Sequence, residues 1–203
     1  MNWDRLFEDL EGQLASEWEA ERAVLDAESE RLRIARLTLR DRIRALCADR
    51  ASVVVEMTNG RRLPVVARTV GTDWFAADAV AGASARVARS LMVVPLPSIV
   101  SLSTDRGMLL ASLDDRSDAP PPLRERMTLG FILRDLARRR VPLHLSTAQG
   151  DDIHGTIDRA GTDHLDLAVH DAGVARLADA VQSFRIVPFS ALVSIRMGGD
   201  QRL

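Results

Sequence analysis

The feature that most constrains this fold is an internal repeat at an offset of ninety residues. The triplet Gly71-Thr72-Asp73 recurs unchanged as Gly161-Thr162-Asp163. Three additional residues then enter the second copy, and Ile99–Leu102 is matched by Leu192–Ile195. An ordered series of matches with one small gap indicates that a structural unit of the chain has been duplicated.

The residue pattern of each copy predicts a helix followed by five short strands. The first strand of the first copy ends at Asn59-Gly60, a strong signal for a tight hairpin. Runs of β-branched and apolar residues between turn residues predict the other strands. In the first copy the strands are expected at 51–58, 62–70, 74–78, 91–95 and 99–102. In the second copy a helix is expected at 123–140, with strands at 141–148, 152–160, 164–169, 184–188 and 191–197.

The N-terminal region predicts a long helix, because no proline precedes Pro64 and only Gly12 interrupts good helix formers. We expect one helix from Trp3 to about Cys47, or two that are nearly continuous. Its first half is acidic and its second half basic. A helix of this length must bury its apolar positions on the rest of the chain or on a partner, and the two alternatives stay open. The positions predicted to form this interaction surface are Trp3, Phe7, Leu10, Leu14, Trp18 and Leu25.

These patterns predict an α+β protein: a long N-terminal helix followed by two tandem helix-plus-five-strand small barrels. The expected divisions are an acidic helix with coiled-coil spacing at 1–35, a first repeat at 36–104, a proline-rich linker at 105–122, a second repeat at 123–197 and a tail at 198–203.

The repeat resembles the Sm-like small barrel, with the SH3-like barrel as a near neighbour. In both copies the last two strands are joined by a very tight turn after Val-Pro. The second copy places glycines and alternating apolar residues as the Sm family does, and its end is similar to that family's isoleucine–arginine–glycine strand. The residues that carry this resemblance are Gly150, Ile153, Gly155, Ile157, Leu165-Asp166-Leu167 and Ile195-Arg196-Met197-Gly198. The opening NWDRLFEDLE and closing VPFSALVSIR also resemble proteins of GC-rich bacteria.

The chain departs from the Sm pattern where that family holds a base. The resemblance implies an Asp and an Asn between the second and third strands, but Leu165 occupies the Asn position and the first copy lacks the Asn as well. Of the family's base-binding set only Arg196 remains, separated from Gly198 by Met197. We therefore expect that the family's RNA specificity has not been retained.

Composition narrows the function classes. A formal charge of −2 and an aromatic content of 4% disfavour a polybasic tail and a base-stacking surface. The lone cysteine, Cys47, excludes an internal disulfide and a cysteine-based zinc cluster, and we expect it to be a core thiol. No phosphate loop, dinucleotide fingerprint or hydrolase motif is present, so we predict a non-enzyme without a cofactor or metal. With no secretory signal or membrane span, a cytoplasmic location is expected.

Four histidines, His144, His154, His164 and His170, all lie in the second repeat. A hairpin at Gln149-Gly150 would bring His144 and His154 together on an exposed face. Zinc would require a third ligand such as Asp152 or Asp158, and solvated surface histidines are the preferred interpretation.

The leading functional hypothesis is a non-catalytic interaction or assembly module, a homo-oligomer or the binder of a protein partner through its N-terminal helix. The alternative is RNA or DNA binding through arginines. Basic residues near a helix C-terminus also complement the helix dipole, so a structural role competes with phosphate contact. The residues expected to contact nucleic acid are Arg134, Arg138, Arg139, Arg140 and Arg196.

Overall fold

The computed structural model describes residues 3–80, 90–114, 122–173, 177 and 179–198, with the backbone alone for residues 3–11. It divides into two compact units, Met1–Thr38 and Leu39–Leu203. The first unit consists of helix α1, Trp3–Arg36. The second begins with helix α2, Leu39–Ala48, so the predicted N-terminal helical region is two helices rather than one.

Among the described residues, ten strands in two sets of five follow α2. The first set is β1 (Ser52–Met57), β2 (Arg62–Val70), β3 (Trp74–Ala79), β4 (Ser90–Pro95) and β5 (Ile99–Ser103). The second set is β6 (Pro142–Thr147), β7 (Asp152–Ala160), β8 (His164–Val169), β9 (Ser183–Pro188) and β10 (Leu192–Met197). A single turn of 3-10 helix joins the last two strands of each set, as the Val-Pro turns predict.

The segment predicted as a linker contains helix α3, Arg106–Ala111. Asp105 caps this helix, since its carboxylate accepts a 3.0 Å hydrogen bond from the amide of Met108. Met108 in turn packs against the buried apolar residues of the first repeat. Residues 115–121 of the predicted linker lie outside the described residues.

The helix predicted at 123–140 is divided into a 3-10 turn, Leu123–Arg126, and helix α4, Leu129–Arg138. The side chain of Thr128 caps α4 by accepting from the amide of Phe131, which explains why the helix begins there. Helices α2 and α4 end alike: Arg50 and Arg140, which follow them, have φ values of 50° and 52°.

All ten strands belong to one antiparallel sheet with the order β5-β1-β2-β3-β4-β10-β6-β7-β8-β9. The α+β class and the long N-terminal helix are confirmed. The arrangement of the strands is different from two separate closed barrels, because β4 and β10 join the two sets and no pairing among the described residues joins β5 to β9.

Two hydrophobic clusters form the core, one for each repeat, and the join between β4 and β10 connects them. The second cluster includes Trp74, Leu91 and Val93 from the first repeat. Conversely, Val193 on β10 belongs to the first cluster. Each repeat therefore completes its neighbour's core across the join.

Candidate interaction surfaces

The junction between the repeats, formed by β4 and β10 with their flanking loops, is the best-defined interface in the second unit. Leu91 pairs with Met197 and Val93 pairs with Ile195. All four side chains are buried. The junction therefore combines backbone pairing with apolar burial, the two contributions that stabilise a sheet.

The loop between β2 and β3 anchors the junction to the start of α4. The Asp73 carboxylate accepts a 2.7 Å hydrogen bond from the amide of Leu129, the first residue of α4. The indole N–H of Trp74 and the amide of Thr72 both donate to the carbonyl of Met127, each at 3.0 Å. A negative charge at a helix N-terminus is favourable, so Asp73 both caps and positions α4.

The two β-hairpins also meet at the junction. The Arg61 guanidinium lies 3.5 Å from the Asp152 carboxylate and donates to the hydroxyl of Ser146 at 3.3 Å. Asn59 donates its side-chain N–H to the carbonyl of Thr147 at 3.5 Å. Opposite charges across the hairpins thus favour one register of the two repeats.

The two outer strands, β5 and β9, carry large apolar side chains that are exposed. Val100 on β5 is 60% exposed, while Phe184 and Ile186 on β9 are 67% and 75% exposed. None of these residues is among the interaction residues predicted from the sequence. The repeat offset could have found them, since they correspond to Val193, Leu91 and Val93, three residues of the junction.

Helix α1 presents apolar side chains to solvent along much of its length. Trp18 is 69% exposed and Leu25 is 64% exposed, and Leu14 and Leu32 are at least half exposed. Trp18, Leu25 and Leu32 recur every seven residues and so share one face of the helix. Trp3, Phe7 and Leu10, predicted to be on the same surface, lie in α1, but their side chains are outside the described residues.

The arginines proposed to contact nucleic acid lie against acidic groups or carbonyls. Arg138 and Arg139 both pair with Asp135, at 2.7 and 2.8 Å, and Arg140 pairs with Asp158. Arg134 donates to the carbonyl of Gly161 at 3.2 Å, and Arg196 lies 3.7 Å from the Asp152 carboxylate. These contacts favour the structural role for the basic cluster, and nucleic-acid contact stays a prediction.

Three of the four histidines form a row: His144 on β6, His154 on β7 and His170 directly after β8. His144 and His154 are paired in register with ring centroids 4.7 Å apart, and the rings of His154 and His170 are 5.0 Å apart. His170 is buried, contrary to the preferred interpretation of solvated histidines, and its Nε2 is 2.9 Å from the Thr156 hydroxyl. Among the described residues, no group of three ligand side chains is placed to hold a metal ion.

Burial and the nearby charge of Arg196 lower the pKa of His144 below its usual range, and His154 lowers it further. Burial raises the pKa of the Cys47 thiol to about 12. Cys47 is therefore a protonated thiol at neutral pH, which agrees with the predicted core role.

Comparison of the chain with protein-family models, curated proteins and solved structures finds no significant match. In the part of the chain that the structure describes, no helix is long and apolar enough to cross a membrane.

Proposed function

We propose that this protein is a non-catalytic assembly module, built from two small-barrel repeats, that associates through the exposed face of α1. The observation that carries the proposal is the seven-residue recurrence of Trp18, Leu25 and Leu32, all at least half exposed, on a 34-residue helix. Exposed apolar rows of this length are characteristic of interaction sites. The occupant is a helix of a second copy or of a protein partner in the cytoplasm.

The fold supports this proposal at the level of the repeats. Within each set of five, the strands follow the same order, with the last strand of the set next to the first. That shared order is consistent with two copies of a small barrel of the Sm-like or SH3-like type. Such domains serve here as a scaffold in which backbone pairing, rather than a catalytic group, creates contacts.

The charge pattern of α1 favours an antiparallel partner helix. Residues 12–30 are strongly acidic, whereas Arg31, Arg33 and Arg36 follow at the C-terminal end. In an antiparallel pair the acidic part of one helix lies beside the basic end of the other, which adds attraction between opposite charges to the apolar contact.

The test is a change of two apolar side chains of α1 to glutamate in the full chain, Trp18→Glu with Leu25→Glu. We expect the Kd for self-association, measured by sedimentation velocity, to rise by about a hundredfold, since charges would enter the apolar face. The matched control is Ala20→Glu with Ala27→Glu, which adds the same charge to the same helix. Equal association of both double variants and the parent would contradict a role for α1.

A further inference from the structure

We propose that a second copy of this chain binds edge to edge, with β9 of one copy pairing with β5 of the next and repeating the junction between β4 and β10. This interface is separate from α1 and does not depend on the proposed function of that helix. The occupant follows from the molecule itself, because the chain already contains one such interface and leaves its two corresponding edges exposed.

The first observation is the exposure of β9. Phe184 and Ile186 are the repeat counterparts of Leu91 and Val93, at an offset of 93 residues. Leu91 and Val93 are only 4% and 0% exposed because they complete the core of the neighbouring repeat. Their counterparts on β9 retain large apolar side chains where no neighbouring repeat covers them. An exposed apolar edge strand favours pairing with another strand.

The second observation is that the opposite surface of the proposed interface, formed by β5 and the start of α2, is also exposed. Val100 on β5 is the counterpart of Val193, which is 1% exposed at the junction. Leu39 at the start of α2 is the counterpart of Leu129, and it too is exposed where Leu129 is buried. Both halves of the interface are therefore available in one chain, which allows one copy to bind the next.

The repeat also predicts the register of the new pairing. Transfer of the pairs Val93–Ile195 and Leu91–Met197 by the same offset gives Ile186–Leu102 and Phe184–Thr104. In the second of these pairs a larger side chain on β9 meets a smaller one beside β5. Thr104 lines an open, mainly apolar groove with Val53, Val54 and Val65, which provides space for a bulkier ring.

The charges of the hairpins support the same register with their signs exchanged. Inside the chain, Arg61 of the first repeat faces Asp152 of the second. The counterpart of Arg61 is Asp151, and the counterpart of Asp152 is Arg62. Asp151 of one copy would therefore face Arg62 of the next, again an attractive pair. Both side chains are more than half exposed, although Asp151 now contacts Arg185 and Arg62 contacts Glu56.

The loop contact is retained as well. Asp163 is the counterpart of Asp73 and lies in the identical Gly-Thr-Asp turn. Its side chain is exposed and contacts only His164 among the hydrogen bonds described for it. In the proposed pairing it would accept from the amide of Leu39 and cap α2 of the next copy, as Asp73 caps α4.

Three residue differences between the repeats make the contact between copies weaker than the internal junction. His164 and Asp166 stand where the first repeat has Trp74 and Ala76, and Ala191 replaces Ser98, whose hydroxyl bonds to the Val193 carbonyl at 2.9 Å. We therefore expect a reversible association. Because different surfaces of the two copies meet, the pairing is heterologous and leads to a ring or to an open chain of copies.

The experiment uses the full chain with Trp18→Glu and Leu25→Glu as the parent, so that association through α1 does not contribute. Two variants each remove one edge: Phe184→Asp with Ile186→Asp for β9, and Val100→Asp for β5. Their positions are exposed in the single chain, so thermal unfolding and circular dichroism should match the parent. Sedimentation velocity should show that the parent associates and that the Kd rises by about a hundredfold or more in each variant.

An equimolar mixture of the two variants tests whether β9 pairs with β5 specifically. Each variant keeps one working edge, so the mixture should form a heterodimer with a single β9–β5 pairing and nothing larger. The matched control is Leu123→Asp, an exposed apolar residue on neither outer strand. It should associate like the parent.

A charge exchange tests the register. Asp151→Arg should weaken association, and Asp151→Arg combined with Arg62→Asp should restore it, since the pair is attractive again. The proposal is overturned if the parent is monomeric up to about millimolar concentration, if the edge variants associate like the parent, or if their mixture forms no dimer. None of these results bears on association through α1, which the alanine-matched glutamate variants test separately.

Discussion

Single residues at the junction show how closely the two repeats are packed. Gly71 has no room for a side chain, because a Cβ atom there would lie 2.2 Å from Nε1 of Trp74 and 2.8 Å from the carbonyl oxygen of Met127. Its counterpart Gly161 faces the ring of His164 instead, which is exposed and can turn away. The same glycine is thus required sterically in one repeat and much less so in the other.

We expect Gly71→Ala to lower the free energy of unfolding by about 2–3 kcal/mol, because Trp74 must move and lose its hydrogen bond to Met127. Gly161→Ala, the matched control, should cost well under about 1 kcal/mol, as surface substitutions usually do. Urea denaturation of the two variants measures the difference. Equal destabilisation would mean that the junction is looser than its geometry indicates.

His144 introduces a dependence of stability on pH. Its pKa is lower in the folded protein than in the unfolded chain, so the unfolded state binds more protons in the acidic range. The destabilisation that His144 causes is therefore negligible above about pH 6.5 and grows as the pH falls toward the lowered pKa of the folded state. We expect His144→Gln to reduce the loss of stability between pH 7.5 and 5.5, measured by urea denaturation. The control is His164→Gln, and an equal reduction in both variants would argue against His144 as the source.

At the scale of elements, α2 and α4 end with the same backbone geometry and hydrogen bonding. Two residues after the end of each helix lies a residue of left-handed conformation, Arg50 or Arg140. The amide of Ala51 then donates back to the carbonyl of Leu46, and that of Val141 to the carbonyl of Leu136. Glycine is usual at this position, since it adopts positive φ without a steric penalty.

We expect Arg50→Gly to raise the free energy of unfolding by about 0.5–1 kcal/mol by removing the cost of the left-handed conformation. The lost contact between Arg50 and Asp78 should matter little, because Arg50 is largely exposed and Asp78 keeps its 3.2 Å contact with Arg68. Arg62→Gly is the control, since it removes an arginine from a strand where φ is not positive. Thermal unfolding should show a higher Tm for the first variant and a lower Tm for the second.

At the scale of the whole molecule, local patterns predict the elements well and the joining of the two repeats poorly. The strands at 62–70, 152–160 and 164–169 have the bounds that the sequence predicts. Their period of two and their turn residues depend only on nearby positions. The helix near residue 123 was predicted less well, because the capping role of Thr128 divides it.

The pairing of β4 with β10 depends on residues about a hundred positions apart, and no local pattern encodes it. The repeat predicts five strands in each copy, but it does not identify which strand of one copy meets which strand of the other. Of the candidate residues on α1, those whose side chains the structure describes, Leu14, Trp18 and Leu25, are exposed, whereas Phe184 and Ile186 on β9 were not among the candidates. Their apolar character alone does not separate them from core residues; only the burial of their repeat counterparts Leu91 and Val93 shows that they mark an uncovered edge.

The central place of β10 has a consequence for synthesis. In the part of the chain that the structure describes, this strand follows the other nine, yet it lies between β4 and β6 in the sheet. While the chain is emerging from the ribosome, the first repeat can pair its own five strands, but the β4 edge stays open until β10 has been translated. A nascent chain therefore exposes an unfinished edge from the synthesis of β4 to that of β10, about half of its length, and neighbouring chains on one messenger could pair there prematurely. Faithful folding of this protein thus depends on how quickly β10 becomes available.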